Sequence, residues 1–528
     1  MAKQQVIDKE RKRGDYTLFL DKLIWVFIFV LLQVSFFICA YFQLQEHYIF
    51  LESGMTILSI LVVIYIINKP MNPAYKLAWC ISILLAPIFG GAFYLLLSVN
   101  QTRRAFRRSV RDAVEESKQH LSQDPQILKE IDDINDHALL QAQYIYHQAK
   151  YPVYKNTQAK YFKDGELYYQ ELLQELAKAK HFIFLEFFII HDGIFWNNVL
   201  TILKKKASDG LDVRIIYDDM GSLQTLPVDY FKQLRDLGIQ CYCFNPVSAT
   251  LSLRQNNRDH RKIVVIDGHT SFTGGVNLAD EYINKRQKIN GYWKDTGIML
   301  KGPATWNFTV MFLQFWKHLS GEEINYDKFK YPGLPKDENT EPGIVSDGYV
   351  QPYADNPLFS EIVAENVYLN MIHRATKYIY ITTPYLIIDN EMITALTLAA
   401  SSGVDVRIVT PHIPDKRTVF MITRSFYEPL TKAGVKIYEY TPGFIHSKMM
   451  IADDKYCAIG SINLDFRSLY LHFECASMLY YSSIVKDVKA DILETIDESE
   501  EITYEHCLAM NKPYRLWLTL LRLYAPLL

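Results

Sequence analysis

Two short stretches of this 528-residue chain carry side chains suited to phosphodiester chemistry. His260-Arg-Lys-Ile-Val-Val-Ile-Asp267 and His446-Ser-Lys-Met-Met-Ile-Ala-Asp453 both read His-x-Lys-(x4)-Asp. Ordinary residue frequencies give that pattern at on the order of one in ten thousand positions, so one copy carries little weight and two in equivalent surroundings carry much. Each motif opens a strand-like run, where side chains alternate with period two. His260 and Lys262 therefore share a face, as do His446 and Lys448. Two such pairs across a pseudo-two-fold axis supply what transfer at a phosphate diester needs. One imidazole attacks phosphorus, the other protonates the leaving oxygen, and the lysines neutralise the phosphate as charge builds. Asn277 and Asn463, in Gly274-Gly-Val-Asn277 and Gly460-Ser-Ile-Asn463, follow the motifs at equal distance and are candidate donors to phosphate oxygens. Asp267 and Asp453 complete the catalytic motifs, yet each lies an odd number of residues from its histidine. On a regular strand they face away, and fixing a turn is their expected role.

The elements around the motifs repeat in order. His181-Phe-Ile-Phe-Leu-Glu-Phe-Phe-Ile-Ile190 is answered by Lys377-Tyr-Ile-Tyr-Ile-Thr-Thr-Pro-Tyr-Leu386, and Asp212-Val-Arg-Ile-Ile216 by Asp405-Val-Arg-Ile-Val409. Gly238-Ile-Gln-Cys-Tyr242 matches Gly434-Val-Lys-Ile-Tyr438 in the same way. Strands alternating with helical segments predict two α/β halves, each a largely buried mixed sheet covered by helices. The first half carries an insertion around Val247 to Asn257, a candidate substrate-facing loop. The expected organisation is a membrane region over 1–100, a helical connector over 101–150, a first half over 151–345 and a second over 346–528.

Three apolar stretches, Leu23 to Phe42, Ser53 to Ile67 and Leu77 to Val99, predict two or three N-terminal transmembrane or re-entrant helices. Basic residues flank the set at Lys9 to Arg13 and Arg103 to Arg111, which favours a cytoplasmic catalytic body and contact with anionic lipids. A net charge of -3 gives no support to a general nucleic-acid binder. Seven scattered cysteines read as reduced thiols. The tail from Tyr514 to Leu528, with Arg515 and Arg522 among leucines, reads as an interfacial helix or as plain packing.

At these residues the sequence resembles the phospholipase D superfamily, and within it the bacterial cardiolipin synthases. The narrower likeness rests on Gly274 to Tyr282, Trp293-Lys-Asp-Thr296, Asn463-Leu-Asp-Phe-Arg-Ser468, the Ala78 to Tyr94 segment and Ala525-Pro-Leu-Leu528. It implies a pseudo-two-fold pair of phospholipase D-type α-β-α halves in the bacterial plasma membrane, and a ping-pong phosphatidyl transfer. One phosphatidylglycerol would load a histidine with loss of glycerol, and a second would accept the group to give cardiolipin. The resemblance implies no metal or other cofactor. It points to Asp295 as the carboxylate orienting His260 and Glu474 as that orienting His446, with ordinary core ion pairs as the alternative for both. His472 departs from the family, which often carries Asn there. Glu186 either lines the site or pairs with a basic residue, and Arg467 either meets a headgroup or closes a salt bridge. Hydrolysis of the same lipids, or cleavage of another diester such as nucleic acid, are the competing activities. Oligomeric state is left open.

Overall fold

The computed structural model describes residues 48–85, 91, 94, 101–134, 137–247, 256–286, 291–331 and 347–527. The first half contains β1 (Gln158–Phe162), β2 (Phe182–Phe187), β3 (Asp212–Asp218), β4 (Gln240–Phe244), β5 (Ile263–Ile266), β6 (Thr270–Gly274), β7 (Tyr292–Lys294) and β8 (Gly297–Lys301). Seven of these form one sheet in the order β1-β8-β6-β5-β2-β3-β4. The second half contains β9 (Tyr349–Asp355), β10 (Tyr378–Thr382), β11 (Leu386–Ile387), β12 (Asp405–Pro411), β13 (Lys436–Tyr440), β14 (Gly443–Ile445), β15 (Met449–Ala452), β16 (Tyr456–Gly460), β17 (Leu464–Asp465), β18 (Glu474–Tyr480) and β19 (Ser499–Ile502). Its sheet runs β19-β13-β12-β10-β15-β16-β18-β9.

The two sheets answer each other strand for strand, with β19 an addition at one edge. Each has a parallel trio, β2-β3-β4 and β10-β12-β13, and antiparallel strands beyond it. This is the expected mixed α/β sheet, and its cause is visible in β2, buried at all six residues, and β10, buried at all five. Strands covered on both faces read as continuous apolar runs. The Glu186 charge inside β2 is paired, 2.6 Å from the buried Arg261 guanidinium. Helices start where short polar side chains can cap them: Asp164 accepts from Leu167 N at 2.7 Å, and Asp389 from Met392 N at 2.9 Å.

Residues expected to be a connector pack on this body. Trp306 Nε1 donates to the His120 carbonyl at 2.7 Å, and Gln351 Nε2 to that of Ala142 at 3.1 Å. The C-terminal helix Lys512–Tyr524 buries Leu518 and leaves Leu516, Trp517 and Leu520 exposed.

The N-terminal unit is a separate body. Leu23 to Phe42 lies outside the described residues, as does most of Leu77 to Val99. Ser53 to Ile67 falls in the helix Tyr48–Ile67, which packs Val62 and Ile66 against Trp79, Ile83 and Tyr94 and exposes Phe50, Ile57, Leu61 and Ile64. Among the described residues no helix is long and apolar enough to cross a membrane. The cysteines described, Cys80, Cys241, Cys243, Cys457, Cys475 and Cys507, are free thiols, and Cys39 lies outside the described residues.

Candidate active site

The two halves exchange backbone at the motifs. Strand β14, which leads into His446, pairs in parallel with β7 of the first half, and His446 N donates to the Lys294 carbonyl at 2.7 Å. In the other direction His260 N donates to the Phe473 carbonyl at 2.9 Å, and Phe473 N to the Arg258 carbonyl at 2.8 Å. Each histidine is therefore tied to the residue just before a carboxylate of the opposite half. His260 Nδ1 lies 2.8 Å from Glu474 Oε1, and His446 Nδ1 lies 2.6 Å from Asp295 Oδ2.

The carboxylates are the two expected, but they are exchanged. The resemblance paired Asp295 with His260 and Glu474 with His446, and the structure reverses both. The reason lies in strand order. Within the first half β6 separates β5, which follows His260, from β8, which follows Asp295. Two strand spacings are about 10 Å, too far for a hydrogen bond. Strand β16 separates the corresponding elements of the second half in the same way. The inter-half backbone bonds remove that gap.

Both carboxylates are fully buried and held in place. Ser461 Oγ donates to Glu474, and Ser468 Oγ donates to it at 2.6 Å, while Asp295 Oδ1 accepts from Thr296 N at 2.8 Å. The glycines after the motifs make room for this. A Cβ on Gly275 would collide with the Asp295 carboxylate, and one on Gly460 with the Cys475 carbonyl. Both serines stand inside segments singled out from sequence, yet no role for them was read there. An Nδ1–H donated to a carboxylate fixes the tautomer that leaves Nε2 bare. His260 and His446 are each 7% exposed, with Phe188 edge-on to the first at 5.0 Å and Tyr282 edge-on to the second at 5.4 Å.

Lys262 and Lys448 are buried, and each ammonium donates to the carbonyl of its own motif histidine. Burial lowers the Lys262 pKa to about 8 and that of Lys448 to about 7. Burial also pushes Glu474 and Asp295 up to about 7, against the pull of the lysines. His260 is driven well below the ordinary histidine value by burial and then by Lys262 and Lys448. It stands neutral at neutral pH, the form an attacking imidazole would need. The four groups titrate together, so kcat/KM is expected to be bell-shaped. It falls on the acid side of about 7 as the carboxylates take protons, and on the alkaline side as first Lys448, at about 7, and then Lys262, at about 8, lose theirs. A pH profile that stays level from about 6 to about 9 would contradict this assignment.

The motif aspartates lie outside this constellation. Asp267 accepts from the backbone N–H groups of Lys180, His181 and Phe182 at 2.8–2.9 Å. Asp453 does the same for Thr376, Lys377 and Tyr378, at 2.7–3.0 Å. Both stand at positive φ in the turn after the motif strand and fasten it to the start of the neighbouring one. Burial pulls the Asp453 pKa upward, but those hydrogen bonds outweigh it and hold the group below the usual carboxylate range. Its stabilisation is present above the ordinary Asp pKa and lost as pH falls through the depressed value. Asp453→Ala is expected to cost about 2–3 kcal/mol in urea unfolding, with the folded fraction keeping most of its transfer rate. A rate loss as deep as that of a histidine variant would return Asp453 to the chemistry.

The asparagines diverge. Asn277 Oδ1 accepts from Ile189 N at 3.1 Å, and its Nδ2 donates to Tyr282 Oη at 2.7 Å, so it braces a loop. Asn463 is buried and its Oδ1 has no hydrogen-bond partner. Arg467 is exposed. Residues 248–255 of the insertion lie outside the described residues.

Residues 172–314 and 368–496 match the family model described as cardiolipin synthase, PLD-like domain, and residues 57–98 match that described as Phospholipase_D-nuclease N-terminal. An uncharacterized protein of Streptococcus mutans serotype c is 43% identical, covering 84% of this chain and 94% of its own. Cardiolipin synthases of Alkalihalophilus pseudofirmus and of Geobacillus sp. (strain WCH70) are each 35% identical over 90% of this chain, with 92% and 94% of their own lengths covered. The crystal structure of phosphatidylserine synthase from Haemophilus influenzae Rd KW20 shares the fold at a TM-score of 0.53 and 14% identity, over 70% of this chain and 95% of that one.

Proposed function

Because the chain belongs to the family of phospholipase D-like cardiolipin synthases, we propose that it joins two phosphatidylglycerol molecules into cardiolipin and glycerol through a phosphatidyl-histidine. The observation that carries this reading is the pair of crossed histidine–carboxylate contacts with a buried lysine beside each imidazole.

His260 Nε2 attacks the phosphorus of the first lipid, and the phosphorus–oxygen bond to its terminal glycerol breaks. His446, in its imidazolium form and paired with Asp295, gives its proton to that departing oxygen. The now neutral His446 then takes a proton from a hydroxyl of the second phosphatidylglycerol. That oxygen attacks phosphorus, the phosphorus–nitrogen bond breaks, and His260 is regenerated. Lys262 and Lys448 oppose the charge on the non-bridging oxygens in both steps. The attacking role goes to His260 by analogy with superfamily members that use the first motif. The motif aspartates and Asn277 serve the scaffold, and of the two motif asparagines it is Asn463 whose amide oxygen is left over for a substrate hydroxyl.

The N-terminal region would anchor the enzyme to the bacterial plasma membrane with the body on the cytoplasmic side. Support comes from the apolar run Leu23 to Phe42, the exposed apolar side chains of Tyr48–Ile67 and the match of residues 57–98. Leu516, Trp517 and Leu520 give the C-terminal helix a surface that would rest at the lipid interface. Anionic lipids, and not nucleic acid, are the partners. Purified protein in phosphatidylglycerol-containing mixed micelles should yield cardiolipin and glycerol in equal amounts. Phosphatidic acid as the main product would make the protein a hydrolase instead.

A further inference from the structure

We propose that His472, with Arg258 and Arg467 beside it, forms a second anion subsite next to His260 that holds the phosphodiester of the acceptor lipid. This rests on the transfer reading above. His472 is 9% exposed, and neither of its ring nitrogens has a hydrogen-bond partner. A buried polar group left unbonded is destabilising, and no hydrogen bond within the fold offsets that here. The imidazole is placed for something the chain itself does not contain.

Its position says what. The His472 ring centroid is 5.6 Å from that of His260. Its backbone N–H donates to the Arg467 carbonyl at 2.9 Å, and the next residue, Phe473, donates to the Arg258 carbonyl at 2.8 Å. The three residues therefore converge at the inter-half crossing, beside the imidazole that attacks phosphorus. The Arg467 side chain is exposed at this rim. Arg258 is buried, donates to the Asn245 carbonyl at 2.7 Å and lies 3.6 Å from Asp218.

The charge around His472 selects the ligand. Burial, then the neighbouring His260, and then Arg467, Lys262 and Arg258 hold its pKa well below the ordinary value. A neutral imidazole offers one N–H donor, and guanidinium groups keep their charge at any relevant pH. Donor atoms of His260, His472 and Glu474 do lie within 4.8 Å of one another, a spacing that could hold a divalent cation. Glu474, however, already receives hydrogen bonds from His260, Ser461 and Ser468. Two lysines and two arginines stand near the same spot, so the field favours an anion. The reaction brings in two phosphodiesters, and His260 takes only one. The other sits one three-carbon glycerol bridge away from the phosphorus under attack, which matches a second phosphate ligand one ring away from His260.

The test compares two reactions of one purified protein in micelles. Exchange of labelled free glycerol into phosphatidylglycerol needs one phosphodiester in the site, and cardiolipin formation needs two. His472→Leu is expected to lower the ratio of cardiolipin formation to glycerol exchange by about tenfold or more. His472→Asn, which keeps an N–H donor, should recover most of that ratio. The Leu variant should also melt no lower than the parent, since no hydrogen bond of the fold is lost. The proposal is overturned if both reactions fall in step, which would place His472 on the shared phosphate or in the fold, or if the ratio does not move. It is equally overturned if zinc ion inhibits the parent and the Leu variant escapes inhibition with its ratio unchanged, the signature of a cation site. A parent protein that makes phosphatidic acid and no cardiolipin would instead remove the transfer reading itself, and this proposal with it.

Discussion

His260→Ala and His446→Ala should each lower cardiolipin formation by about four orders of magnitude or more, and the double variant should be little worse than either single one. In the proposed cycle both histidines act on the same phosphorus, one as nucleophile and one as proton carrier, so removing either would stop the same sequence of steps. In that cycle the buried lysines and the rest of the site would still bind phosphate in these variants, so KM should change far less than kcat. A rapid quench of the parent should trap one phospholipid per chain on a single imidazole. Additive losses in the double variant would mean that the two motifs work as independent sites. Label on both histidines would remove the division of labour between them.

The repeat was readable because strands buried on both faces become apolar runs in sequence. β2 and β10 announce themselves, and the matched spacing from each histidine to its following asparagine makes the register plain. Parity along the strand was enough to take Asp267 and Asp453 off the phosphate, and the structure gives them backbone amides to hold instead. Equal letters did not mean equal surroundings. Asn277 is claimed by Tyr282, five residues later, whereas the Asn463 amide oxygen has no partner. The exchange of carboxylates was not readable. It links residues 214 and 151 positions apart and arises from backbone pairing between halves, which leaves no local pattern of polarity or spacing. A resemblance carries over which residues matter more readily than which of them touch. His472 illustrates the complement: its departure from the family residue was visible in sequence, but its two unbonded nitrogens only in the structure.

The crossing makes a prediction that pairing within each half would reverse. With a donor whose leaving group is a nitrophenolate, departure needs no proton, and loading of the enzyme depends only on the nucleophile and its own carboxylate. With His260 as the nucleophile, Glu474→Gln should slow the nitrophenol burst by about 10²–10⁴-fold, because an amide facing Nδ1 no longer secures the tautomer that bares Nε2. Asp295→Asn should leave that burst within severalfold of the parent. It should nevertheless halt turnover with phosphatidylglycerol as donor and acceptor, where His446 must both give and take a proton. If the trapped adduct maps to His446, the two variants exchange behaviour, and the decisive carboxylate still comes from the opposite half. The result that would undo the arrangement is a burst controlled by the carboxylate of the nucleophile's own half. That outcome would require the backbone bonds from His260 to Phe473 and from His446 to Lys294 to be absent in the working enzyme, since those two bonds bring each carboxylate to the imidazole it faces.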